Sequence, residues 1–129
     1  MSYGLQVRIE DHGGLRVQFL ESDGPVISTR DETSDLIGNA WVENASVIAV
    51  PIGRLDPGFL DLSSGFAGEL TQKVVNYGLK LAIIGDVSAA AAASGPLADY
   101  IWETNRGDHI WFFDDESALI ERLTGRSGG

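Results

Sequence analysis

The sequence predicts a single α/β domain on a mixed sheet of about five strands, an antiparallel hairpin first and three parallel strands after it, with flanking helices. Three observations carry that expectation. Two early segments alternate apolar and polar residues, three later segments are almost continuously apolar, and helical patterns separate those three. Alternation marks strands with one solvated face, and unbroken apolar runs mark strands covered on both faces. Strands that alternate with helices pair in parallel through right-handed crossovers.

"LQVRIED" (Leu5 to Asp11) and "LRVQFL" (Leu15 to Leu20) flank the turn "HGG" (His12 to Gly14), which gives the hairpin. "SDGP" (Ser22 to Pro25) breaks it, and "VIS" extends a short edge piece. In "TRDETSDLIGNAWVEN", Thr29 and Glu32 have capping-box spacing, while Leu36, Ile37, Ala40 and Trp41 share one helical face. "SVIAVP" (Ser46 to Pro51) is the first buried strand. After the loop "IGRLDPGFLDL", a helix is expected from about Ser64 to Tyr77. Its apolar stripe is Phe66, Leu70, Val74 and Tyr77, and Gly78 closes it in a left-handed conformation.

"KLAIIG" (Lys80 to Gly85) is the second buried strand. "DVSAAAAASG" has helix-favouring alanines but no amphipathic pattern, so it reads as a loop holding a turn of helix. Pro96 opens "PLADYIWETNR" and Gly107 closes it. "HIWFF" (His109 to Phe113) is the third apolar strand. "DDESALIERL" is a last helix with acids in its first turn and Arg122 near its end, matching the macrodipole. The expected domain spans residues 1–125, with a disordered tail expected at 126–129.

Composition narrows the function. A chain of 129 residues, 43% hydrophobic, can bury one core and does not read as disordered. No apolar run approaches the roughly 20 residues that span a bilayer. The start "MSYGLQVRIE" lacks a basic-then-apolar signal, so the expected location is cytoplasmic. The absence of cysteine removes disulfides, thiolate metal sites and cysteine nucleophiles together. A net charge of −10 without a Lys/Arg cluster argues against nucleic acid and anionic membranes as partners. His12 and His109 lack triad partners and metal spacing, and no glycine-rich phosphate loop occurs, so no metal and no cofactor are expected.

Two places remain. In "LDLSSGFAGEL" (Leu60 to Leu70), Asp61, Ser63, Ser64 and Gly65 precede a helix. Their ordinary role is capping, in which a hydroxyl accepts from a free helix N–H. A phosphate on Ser64 would also meet the positive helix end and change the face that a partner reads. The second place is the edge where the parallel strands end, the usual ligand edge of an open α/β sheet. Asp61, Glu69, Asp86 and Ser88 are the candidate contacts there, with turns and caps as their plainer role.

"FLDLSSGFAGELTQKVVNYGLKLAIIGD", followed by "ETNRGDHIWFF", resembles the bacterial family catalogued as domain of unknown function 4180, over nearly the whole chain. That resemblance implies a fold and no activity. A weaker one, carried by "D-x-S-S-G" before a helix and "G-x-K-L" before a strand, is to STAS domains, the fold of anti-sigma-factor antagonists. There the serine just before the glycine is phosphorylated to break a protein complex, which implies the same role for Ser64.

The expected function is therefore a non-enzymatic cytoplasmic regulatory or protein-interaction domain. It would bind an unidentified protein partner through the face around Asp61, Ser63, Ser64 and Gly65, with phosphorylation near Ser64 as a switch. The alternative is a small-molecule binder or small enzyme with a polar pocket at the strand edge. No residue is assigned as catalytic, and the oligomeric state stays open.

Overall fold

A computed structural model describes residues 7–125 of the chain. Leu5, Gln6 and the tail at 126–129 lie outside the described residues. The hairpin is β1 (Val7–His12) and β2 (Leu15–Leu20), followed by α1 (Arg30–Val42) and β3 (Val47–Pro51). Three 3₁₀ turns (Ile52–Arg54, Pro57–Leu60 and Leu62–Ser64) lead into α2 (Phe66–Asn76) and β4 (Lys80–Ile84). Then come α3 (Ser88–Ala93), α4 (Gly95–Asn105), β5 (Ile110–Phe113) and α5 (Glu116–Thr124).

The strands lie side by side in chain order, β1-β2-β3-β4-β5. β1 and β2 are antiparallel, from Val7 opposite Leu20 to His12 opposite Leu15. The other pairings are parallel, so β2 doubles as the first strand of the parallel set. Sequential order with right-handed crossovers puts every connecting helix on one face. That face buries Leu36, Ile37 and Ala40 of α1 and Ala67, Leu70 and Val74 of α2 against Ile48, Val50, Leu81, Ile83 and Phe112, with Tyr100 and Ile101 of α4 packed on them. On the opposite face Leu119 of α5 covers Val17, Phe19, Val47, Ala49, Ala82 and Trp111. β3 thus sends alternate residues into two cores, which is why its sequence is apolar throughout.

The helix ends follow their local chemistry. Glu32 N–H donates to Thr29 Oγ1 at 3.1 Å and Thr29 N–H donates to Glu32 Oε1 at 3.0 Å, completing the capping box. Gly78 takes φ +70° after α2, and the Asp115 carboxylate caps α5 by accepting from Ala118 N–H at 2.9 Å.

Four local expectations are corrected. α2 starts at Phe66 rather than Ser64, because Gly65, at φ +82°, separates it from the 3₁₀ turn that holds both serines. Trp41 and Tyr77 are 70% and 61% exposed rather than core. Each stands at the end of its helix and at the border of the apolar arc, where three smaller residues already fill the sheet contact. The alanine run forms the six-residue α3, more helix than the expected loop with one turn, as alanine propensity favours. His12 closes β1 rather than occupying the turn; its Nε2 lies 2.8 Å from Glu10 Oε1. No helix among the described residues is long and apolar enough to cross a membrane.

Candidate functional site

The fourteen residues between Pro51 and Phe66 carry the chain from the end of β3 to the start of α2. Short side chains organise this path by replacing missing backbone partners. Asp56 Oδ1 accepts from Gly58 N–H at 2.7 Å. Asp61 Oδ1 accepts from Ser63 N–H at 3.1 Å and from the Ser63 hydroxyl at 2.6 Å. These are Asx turns, in which a carboxylate stands in for a turn carbonyl.

Ser64 does something different. Its hydroxyl donates to the Gly58 carbonyl at 2.6 Å and accepts from Phe66 N–H, the first of α2, at 3.2 Å. One exposed oxygen therefore fastens a turn six residues upstream to the beginning of a helix. Gly65 occupies the N-cap position with no side chain to offer. Capping thus passes to Ser64 one residue earlier, and Ser63 is tied to Asp61 instead of the helix. Pairing the two serines as equivalent caps is corrected by that geometry.

The strand-end edge forms as register requires: Pro51, Ile84 and Phe113 are aligned across β3, β4 and β5. Gly85 continues it at φ +142°, so close to Ile52 that a Cβ would come within 2.5 Å of Ile52 Cγ2. Just beyond, the Ser88 hydroxyl and backbone N–H hold the Asp86 carboxylate below the usual carboxylate range, the N–H donating at 2.9 Å. Asp61 is engaged with Ser63, and Glu69 lines a small hollow with Arg30 and Lys73 on the flank of α2. The three carboxylates are thus each committed to a separate local environment. Among the described residues no group of three or more His, Cys, Asp or Glu is arranged to hold a metal ion.

A groove of about 200 Å³ runs instead between α1 and α2, lined by Ser34, Ile37, Gly38, Trp41, Lys73 and Tyr77. Sequence reasoning missed it because helical spacing assigned Trp41 and Tyr77 to the core. The signal available was position: both residues end their apolar stripes, where a helix turns from sheet to neighbour.

Sequence reasoning also missed Arg54, which is 1% exposed. Its Nε donates to the Pro25 carbonyl at 2.8 Å, and one terminal nitrogen donates to Glu21 and Asp23 carbonyls at 2.6 and 3.2 Å. This guanidinium pins the segment after β2 to the turn after β3. The Arg106 guanidinium lies over the Trp102 ring, 4.3 Å from its centroid.

The sequence matches one family, described as Domain of unknown function (DUF4180), over residues 12–123. No curated protein and no solved structure matches the chain.

Proposed function

The chain belongs to the DUF4180 family, and we propose that it works there as a non-enzymatic, cytoplasmic interaction domain whose partner reads the Ser63–Ser64 turn and the start of α2. The observation that carries this reading is the exposed Ser64 hydroxyl, bonded both to the Gly58 carbonyl and to Phe66 N–H. A phosphate on that oxygen removes the proton that Gly58 accepts, so the latch to the upstream turn is lost outright. The anion then has the free N–H groups and positive end of α2 to turn toward, while Asp56 and Asp61 on the turn side repel it. Modification therefore moves the turn relative to the helix, which is a change a partner can read. The STAS-like resemblance supports this reading at the same position, Ser64 beside Gly65.

The acid–base alternative is weaker for a local reason. Asp61 and Asp86 are bonded to Ser63 and Ser88, residues two positions away, as turn-forming aspartates are.

The test uses three folded proteins: wild type, Ser64→Ala, and protein carrying phosphoserine at 64. Ser64→Ala should cost roughly 1 kcal/mol, the worth of a capping hydroxyl, and keep the partner profile in pull-downs from native cell extract. Phosphoserine should raise amide exchange at residues 57–63 and change that profile. Identical profiles and identical exchange in the wild-type and phosphorylated proteins would reduce Ser64 to a structural latch.

A further inference from the structure

We propose that the groove between α1 and α2 binds a small amphipathic anion, a compound with one flat apolar body and one carboxylate. This site is separate from the Ser64 turn and does not depend on the role given to it.

The shape specifies the body. Ile37 and the bare backbone of Gly38 lie between two large aromatic side chains, Trp41 and Tyr77, in a space of about 200 Å³. That is below the roughly 300–1,000 Å³ of pockets for drug-sized ligands, so it suits a single ring with a short chain. Val42 and Val75, further exposed apolar residues on these helices, do not line the groove. The apolar lining of the groove itself is Ile37, Trp41 and Tyr77.

The charge specifies the head. Among the described residues, Lys73, Arg30 and Arg106 donate to no carboxylate or carbonyl, and of these Lys73 alone lines the groove. Arg8 and Arg16 are paired with acids. Lys80, Arg54 and Arg122 donate to backbone carbonyls. Lys73 reaches only the Ser34 hydroxyl, Nζ to Oγ 3.2 Å, across the two helices at the groove. Among the described residues no carboxylate forms a salt bridge with it. An ammonium with donors to spare beside a hydroxyl is a receptor for a carboxylate. Lys73 also lines the adjoining hollow, which holds both Glu69 and Arg30, so the anion's place is on the Ser34 side of Lys73, away from that carboxylate.

The probe is 3-phenylpropanoate, with 3-phenylpropanamide as its neutral counterpart, each titrated into the full chain and followed by amide NMR shifts. Saturable shifts at Ile37, Gly38, Trp41 and Tyr77 are expected at millimolar ligand, with the carboxylate bound about tenfold tighter than the amide, the worth of one charge-assisted hydrogen bond. Lys73→Met should remove that tenfold preference, so that the carboxylate binds no tighter than the amide. Gly38→Leu should abolish both, because a Cβ at Gly38 meets nothing within 4 Å and the larger side chain grows into open space. Trp41→Ala, at a residue 70% exposed, repeats that loss without touching the core. Absence of saturable shifts, equal binding of acid and amide, or shifts confined to other elements would overturn the proposal. It would also be overturned if neither compound bound while Gly38→Leu dispersed a self-associated species or cost the protein a captured partner.

Discussion

Replacing Arg54 by methionine isolates the energetic role of a buried cation that faces backbone rather than acid. Methionine keeps an unbranched apolar stem in the space and deletes the guanidinium. Three charge-assisted hydrogen bonds disappear, to Glu21, Asp23 and Pro25 carbonyls. At about 1.5–3 kcal/mol each, the gross loss is about 4.5–9 kcal/mol. Two terms oppose it. The guanidinium no longer has to be desolvated, a cost of several kcal/mol, and Asp23 and Pro25 sit on exposed chain whose carbonyls rehydrate. The net expectation is a loss of about 2–4 kcal/mol, a large share of the roughly 5–15 kcal/mol that holds a domain together.

Urea unfolding of the wild type and Arg54→Met, read by circular dichroism, measures that loss as a lower midpoint at unchanged slope. Arg54→Lys should recover less than half of it, since one ammonium replaces a planar fork of donors. Gly24 supplies the cross-check. A Cβ there would sit 2.7 Å from Arg54 Cζ, and φ is +144°. Gly24→Ala should therefore cost less in the Arg54→Met background than in wild type, because the collision partner has gone. Wild-type stability in Arg54→Met, or strict additivity of the two changes, would refute the picture of a guanidinium caged by this loop.

Asn105→Ala should cost about 1–3 kcal/mol in the same urea assay, because Asn105 Oδ1 accepts from Phe112 N–H at 2.6 Å and its loss orphans a donor of the edge strand β5. Gly13→Ala should destabilise more than Gly14→Ala: both have positive φ, but a Cβ at Gly13 would lie 1.9 Å from the Leu123 carbonyl oxygen, while one at Gly14 meets nothing. Stability should fall in acid. Backbone N–H groups of Ser28 and Thr29 hold the Glu32 carboxyl below its usual range, and the His12 hydrogen bond, with Arg8, does the same for Glu10. A depressed folded-state value means that the contribution is complete above the unfolded-state value, near 4.3, and is lost as pH falls through the folded one. Glu32→Gln retains the capping acceptor without its titration, so its unfolding midpoint should vary less with pH in that window than that of the wild type.

What the sequence determined by itself is the strands of the sheet and the capping box that starts α1. Period-two alternation in β1 and β2, unbroken apolar runs in β3, β4 and β5, and the Thr29–Glu32 spacing are local patterns, whose physical consequence is set within one or two turns of chain. Parallel pairing of the later strands followed from the same patterns, because strands joined by helices pair through right-handed crossovers, whereas their order across the sheet was set by the tertiary structure. Side-chain partners at long range were decided only by the tertiary structure. Arg8 meets Glu116, 108 residues later, Arg54 finds the carbonyls after β2, and Asn105 acts on β5 instead of merely ending α4. The groove belongs to the same class, since Trp41 and Tyr77 are apolar residues at helical spacing in either case. Whether such a residue fills the core depends on how closely the neighbouring helix approaches it, and that distance is set by α1 and α2 settling side by side on one sheet face.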